Sequence, residues 1–240
     1  MPSRSRHALR AIFLDAGNTL LRMNYPAIAG ALAARGHPVS PDDVQRAEWR
    51  ARVRLDTEVL APAAGRVSTE SRATGSRYVA LILDELGVRS PEVAASIDAW
   101  RASFNRPFGL FTLAEPAAAP ALRLAREAGV ATAVISNSNG TVRSVLEGLG
   151  IAPHVDFVLD SAEEGVEKPD PRIFARALER AAVRADEAAY VGDLYSIDVL
   201  GARRAGLRSV LLDPGGHWGE RDCPVAPDVL AAVTLLLGGR

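Results

Sequence analysis

"AIFLDAGNTLLRM", residues 11–23, opens with an apolar run, Ala11-Ile12-Phe13-Leu14, that stops at Asp15. Small and polar residues follow, Ala16, Gly17, Asn18 and Thr19, before the chain turns apolar again at Leu20 and Leu21. A short apolar run bounded by turn residues reads as a buried strand, and its tip carries a carboxylate. Four more runs of this kind recur: "VATAVIS" (130–136), "VDFVLD" (155–160), "AAYVGD" (188–193) and "RSVLL" (208–212). From the second onward, helical patterns lie between them. "APALRLAREAG" ends on Gly129 and "TVRSVLEGLG" on Gly150, both fitting helix stops, and "DPRIFARALERAAV" sets Ile173, Phe174, Ala177 and Leu178 on one face. Strand and helix in alternation predict an α/β fold, a doubly wound parallel sheet with helices on both sides. Active sites in such sheets lie beyond the carboxyl ends of the strands.

The interval between the first two strands differs. Residues 22–106 contain no strand pattern and read as helices over 27–36, 40–60, 68–87 and 90–104, with 61–68 as a loop. Ser40 with Pro41 and Asp43, and Ser90 with Pro91, mark helix starts. The expected division is therefore a core of residues 1–21 and 107–240 and an inserted all-helical cap of residues 22–106, overhanging the strand ends. "AEPAAAPA" (114–121) reads as a connector.

Composition narrows the class. Hydrophobic residues make up 48% of the 240, enough for a substantial core and against disorder. The net charge of -1, with no basic stripe, speaks against a nucleic-acid partner. The single cysteine, Cys223, has no internal disulfide partner, which suits a reducing compartment. The basic N-terminus precedes only four apolar residues before Asp15, too few for a signal-peptide core, and "VLAAVTLLL" near the C-terminus is far short of a membrane span. A cytoplasmic protein without membrane association is expected. One count is unusual: of 28 basic residues, only Lys168 is lysine. A position that needs a compact ammonium resists replacement by a planar guanidinium.

The polar residues at successive strand ends are Asp15, then Ser136 and Asn137, then Lys168, then Asp193 with Asp198 five positions on. Each alone is ordinary turn or capping chemistry; together they place carboxylates, a hydroxyl, an amide and an ammonium at one end of one sheet. "FLDAGNTLL", "AVISNSNG", "EEGVEKPDPRIFARAL" and "YVGDLYSIDVLGARRAG" then resemble, in order, the four motifs of the haloacid dehalogenase-like hydrolase superfamily, in the branch with a helical cap between the first two motifs. The resemblance covers residues 8–21 and about 115–215; in the cap it extends only to length and helicity.

The resemblance implies a Rossmann-like core and a set of roles. Asp15 would be the nucleophile, forming an aspartyl-phosphate with a small phosphorylated metabolite. Mg²⁺ would be held by the Asp15 carboxylate, the Gly17 carbonyl and Asp193, with Asp198 supporting the metal or Lys168. Ser136 and the backbone at Asn137 would hydrogen-bond the phosphoryl oxygens, and Lys168 would balance Asp15 and the transferring phosphate. The chain also departs from the pattern. The family's second Asp, two residues after the nucleophile, is its general acid, and here that place is Gly17. Asn18 stands where the family has glycine, and asparagine tolerates positive φ. Without the acid, leaving groups that depart unprotonated are expected to be preferred, unless another acid, from the cap, replaces it. Two relatives lacking the second Asp are weighed. Phosphonoacetaldehyde hydrolases need a cap lysine, and residues 22–106 contain none. Metal-independent haloacid dehalogenases have a neutral residue at the place of Asp193; they remain the alternative, beside an inactive binding protein on the same fold. The arginines at 46, 50, 52 and 54 are expected on a solvated helix face, Trp49, Trp100 and Phe104 in the core of the helical segment, and His217 and Trp218 in a surface loop.

Overall fold

The computed structural model describes residues 8–238; the basic residues 1–7 and the last two residues lie outside this range. Six parallel strands form the main sheet: β1 (Ala11–Leu14), β4 (Ala131–Ser136), β5 (Phe157–Asp160), β6 (Ala188–Gly192), β7 (Arg208–Leu212) and β8 (Val225–Ala226). Their order is β5-β4-β1-β6-β7-β8. β1 lies at the centre, with Leu14 in register with Val134 on one side and Val191 on the other. The chain winds outward from β1 in both directions, so the switch point of the sheet falls at the tip of β1, where Asp15 is.

Alternation along each strand divides the core into two layers. Ile12, Leu14, Val134 and Val191 face α6 (Ala118–Glu127), α7 (Val142–Gly148) and α11 (Val229–Gly238). Ala11, Phe13, Ile135 and Tyr190 face α9 (Pro171–Ala181) and α10 (Leu200–Arg204). The five strands expected from the pattern are all present. β8, two residues long, carries no readable pattern. Trp218, expected in a surface loop, is buried with Leu211 and Cys223.

Between β1 and β4 the chain forms α1 (Tyr25–Ala33), α2 (Pro41–Leu55), a wider π-type continuation (Asp56–Leu60), α3 (Ala61–Ala63), α4 (Arg72–Glu85) and α5 (Pro91–Ser103). Ser40 begins α2 through a reciprocal capping box with Asp43, and Ser90 begins α5 by accepting from the Val93 N–H, as the spacing predicts. These helices bury a cluster of their own that includes Leu32, Val44, Leu60, Leu81 and Ile82. Trp100 and Phe104 pack on it, with ring centroids 4.9 Å apart; Trp49 instead lies beside Gly215.

Two expectations for this segment are corrected. β2 (Leu21–Met23) pairs antiparallel with β3 (Phe111–Ala114), so a strand enters the interval read as free of strands, and β3 takes the start of the expected connector. Three residues whose partner lies some ninety positions on leave no hairpin signal. The second correction concerns α4, which begins at Arg72 and not at Ser68. Ser71 caps it by accepting from the Thr74 N–H, while the Ser68 hydroxyl is spent on Glu167. Residues 68–71 are therefore a loop, and this loop reaches the strand ends.

Candidate active site

A cleft of about 380 Å³ opens at the carboxyl end of the sheet. Asp15, Gly17, Ser136, Asn137, Lys168, Asp193 and Asp198 all line it, so the residues expected to form the site come to one place.

The first turn is drawn tight because three amides, of Thr19, Leu20 and Leu21, converge on the Ala16 carbonyl at 2.8–3.3 Å. Asn18 takes φ 53°, as expected for the residue in a glycine's place. The Asp15 N–H continues the sheet ladder to the Val191 carbonyl at 2.9 Å, which holds the carboxylate rigidly at the strand tip.

Lys168 is buried, and its ammonium is fully occupied. Nζ donates to Asp15 Oδ1 at 2.6 Å, to Tyr190 Oη at 2.7 Å and to Asp198 Oδ1 at 2.8 Å. Burial alone would lower its pKa; the two carboxylates outweigh burial and hold it above the usual lysine value. Three oxygens at ammonium distance form a cage for a point charge with three donors, a shape the guanidinium fork does not match. The main chain of Lys168 is fixed as well: Asn137 accepts from its N–H at 2.8 Å and donates to its carbonyl at 2.9 Å. The Asn137 side chain is thus committed, and what this residue offers a phosphoryl oxygen is its backbone. Asp160, at the end of β5, accepts from the Gly140 N–H at 3.0 Å and shapes the loop after Ser136.

Asp198 is equally committed. Oδ1 accepts from Lys168 and from Tyr190 at 3.1 Å, and Oδ2 accepts from the Asp193 and Leu194 N–H groups at 3.1 and 2.9 Å. A Cβ at Gly192 would collide with this carboxyl, so glycine is required there. Of the two roles expected for Asp198, support of Lys168 is the one its contacts serve.

Arg52 overturns the expectation of a solvated face. Arg46, Arg50 and Arg54 keep solvent contact, but Arg52 is 3% exposed. Its guanidinium grips Glu48 at 2.8 and 2.9 Å, and its Nε lies 3.3 Å from Asp193 Oδ2. Tyr25 donates to Glu48 at 3.0 Å, Tyr78 donates to it from α4, and Asn18 donates to Asp193 Oδ2 at 3.2 Å. Sequence reasoning missed Glu48, Arg52, Tyr78 and Tyr190. The available signals were a Glu–Arg pair at i, i+4 on the same stripe as Val44, Ala51 and Leu55, and a tyrosine inside a buried strand whose hydroxyl needs a partner.

The carboxylates bear on whether a metal ion fits. Asp15, Asp193 and Asp198 each bring an oxygen within 4.8 Å of the others. Burial pushes the Asp15 carboxyl up to about 6, with Asp198 adding to the effect and Lys168 opposing it. Burial likewise pushes Asp193 well above the usual carboxylate range, against the Arg52 guanidinium and with Asp15 adding to it. Four buried carboxylates, counting Glu48, face two buried cations. The donor set is all oxygen and short of positive charge, which fits a hard divalent cation at Asp15 and Asp193.

A haloacid dehalogenase-like hydrolase model matches residues 9–206. The chain belongs to this family. Among hydrolases with related sequences is the haloacid dehalogenase-like hydrolase domain-containing protein 3 of Homo sapiens, 33% identical over 211 residues, which span 86% of this chain and 83% of the relative. The glyceraldehyde 3-phosphate phosphatase of Methanopyrus kandleri is 31% identical over 218 residues, 87% of this chain and 86% of the relative. A crystal structure of a 2-haloacid dehalogenase from Pseudomonas syringae pv. Tomato DC3000 is 26% identical with a TM-score of 0.55, covering 96% of this chain and 99% of that one. Among the described residues of this hydrolase, no helix is long and apolar enough to cross a membrane.

Proposed function

We propose that this hydrolase is a Mg²⁺-dependent phosphatase of small phosphomonoesters, acting in the cytoplasm. One observation carries the reading: the buried excess of carboxylate at Asp15 and Asp193, which calls for a divalent cation and a phosphoryl substrate. The phosphatase named among the relatives supports it. Asp15 attacks phosphorus and carries the phosphoryl group as an aspartyl-phosphate, which water then hydrolyses. Lys168 keeps the Asp15 carboxylate in place and offsets the charge of the phosphoryl group. Ser136 and the Asn137 backbone orient the phosphoryl oxygens. Asp15, Asp193 and the Gly17 carbonyl would hold Mg²⁺, which supplies charge neutralisation to the transferring group. Residues 22–106 serve as a cap over a core made of the rest, and the cleft volume of about 380 Å³ suits a metabolite.

One observation favours a second reading. Arg52 already supplies Asp193 with a cation, so carboxylate repulsion does not exclude a metal-free dehalogenase as firmly as the sequence alone suggests. The two readings separate in one assay. Hydrolysis of p-nitrophenyl phosphate that is lost in EDTA, restored by Mg²⁺ and absent in Asp15→Asn supports the phosphatase. Halide release from 2-chloropropionate in EDTA supports the dehalogenase.

A further inference from the structure

The first turn has lost its acid, and an aromatic ring stands beside the gap. A Cβ built on Gly17 lies 3.4–3.7 Å from the ring of Phe111, ordinary van der Waals contact, so a side chain there would lie against the β3 aromatic. Any proton for the leaving group has to come from elsewhere in the cleft. The ammonium of Lys168 is locked by three oxygens, and the Asp198 carboxyl is committed on both sides. Tyr78 is turned to Glu48, whose other contacts are Tyr25 and Arg52.

One acid in the cleft is unused. Glu70 lies in the loop 68–71 and lines the same cleft as Asp15, Gly17 and Ser136. The loop is latched to the core on the near side of Glu70. Thr69 accepts from Asn137 Nδ2 at 3.0 Å, the same amide that grips Lys168, and Ser68 donates to Glu167 at 2.8 Å. On the far side, Ser71 caps α4 and Thr74 donates to the Ser68 carbonyl at 2.7 Å, which closes the loop on itself. A four-residue loop tied at both ends holds Glu70 against the cleft, and its carboxyl makes no hydrogen bond or ion pair among the described residues.

We infer that Glu70 is the general acid that replaces the missing one: in the phosphatase reaction, on which this inference rests, its carboxyl protonates the departing oxygen. As Asp15 forms its bond to phosphorus, the bond from phosphorus to the ester oxygen breaks, and the Glu70 proton passes to that oxygen, releasing an alcohol and leaving a carboxylate. The carboxylate then takes a proton from the water that attacks phosphorus in the aspartyl-phosphate, which releases phosphate and restores the Glu70 acid and the Asp15 carboxylate. The surroundings favour the protonated form. Glu70 is exposed at the mouth of the cleft; the protein around its carboxyl, then Asp15, Glu167 and Asp160, push it up to about 7 against the pull of Lys168.

The test is kcat/KM, which reports steps up to departure of the leaving group, across phosphates from p-nitrophenyl through phenyl to simple alkyl, for the wild type, Glu70→Gln and Glu70→Asp. The wild type is expected to show a shallow dependence on leaving-group pKa. Glu70→Gln is expected to steepen it, losing about 10²–10⁴-fold on alkyl phosphates and far less on p-nitrophenyl phosphate. Glu70→Asp should retain part of the alkyl activity. With p-nitrophenyl phosphate, Glu70→Gln should also give a burst of nitrophenolate, because the aspartyl-phosphate is no longer relieved by a base. A wild type that hydrolyses no phosphate ester would overturn the phosphatase reading itself. A wild type that is active, with Glu70→Gln equally impaired on every ester or unchanged on all, would overturn the role of Glu70 alone.

Discussion

The floor and the wall of the cleft are built on different terms. The floor comes from strand ends: Asp15 after β1, Ser136 at the end of β4 and Asp193 after β6, with Lys168 held by Tyr190 and Asp198. The sheet ladder fixes each position, and nearly every polar atom of Lys168 and Asp198 has a partner. The wall comes from the helical segment. It carries one buried ion pair, Glu48–Arg52, that reaches across to Asp193, and one unpaired acid, Glu70, on a latched loop. Lys168 and Asp198 hold the floor still, while its Asp15 and Asp193 carboxylates are short of positive charge; the wall adds an acid without a partner.

Breaking the floor should have the largest effect. Asp15→Asn removes the proposed nucleophile and is expected to lower phosphatase turnover by roughly 10⁴-fold or more, since no other residue is proposed to form the covalent intermediate. The assay is initial-rate hydrolysis of an aryl phosphate with saturating Mg²⁺.

Breaking the wall's ion pair comes next, and it reads in stability. Arg52→Ala leaves Glu48 buried with no cation, at a cost of about 3–5 kcal/mol in urea unfolding. The double change Glu48→Gln with Arg52→Met should recover the part of that loss that comes from Glu48, while Asp193 stays without the Arg52 cation. If the double variant is as unstable as the single one, packing around Tyr25 and Tyr78 holds the wall and not the ion pair.

Lys168→Arg tests the cage in the floor. A guanidinium cannot place one nitrogen between Asp15, Tyr190 and Asp198 without moving one of them, and a displacement of about 1 Å is expected to cost roughly 10²-fold in kcat. Near wild-type kcat would show that the site tolerates a larger cation, and the survival of the chain's one lysine would need another explanation.

The contrast between floor and wall is also a contrast in what the sequence discloses. Asp15, Ser136 and Asp193 follow short apolar runs and are legible as polar residues at strand ends, Lys168 stands out as the chain's one lysine, and their expected roles come from the family resemblance. Tyr190 is not, because a tyrosine inside a strand reads as core until its hydroxyl is seen between Lys168 and Ile135. The wall is harder to read. Arg52 stands among Arg46, Arg50 and Arg54 in one helix, and only the angular position around that helix separates the buried one from its exposed neighbours. Glu70 sits in a run that continues into α4, and nothing local says that Ser71, and not Ser68, caps the helix; that is decided by Glu167, 99 residues on from Ser68, and Asn137, 68 residues on from Thr69. The short strands β2 and β8 are fixed by partners distant in sequence in the same way.

The smallest expected effect comes from returning the acid to the floor. Gly17→Asp alone should give little gain on alkyl phosphates, since the new side chain would lie against the Phe111 ring, while Gly17→Asp with Phe111→Val should give a few-fold more. In Glu70→Gln the double change should restore alkyl activity that the single change does not, measured as kcat/KM on the same ester series.

The most direct test of the account is to trap the covalent intermediate. The protein is mixed with p-nitrophenyl phosphate and Mg²⁺, quenched in acid within the first turnover and examined by peptide mass spectrometry. The account predicts a phosphoryl group on the peptide carrying Asp15, more abundant in Glu70→Gln than in the wild type and absent in Asp15→Asn. Steady turnover with no adduct on that peptide in either active protein would contradict it.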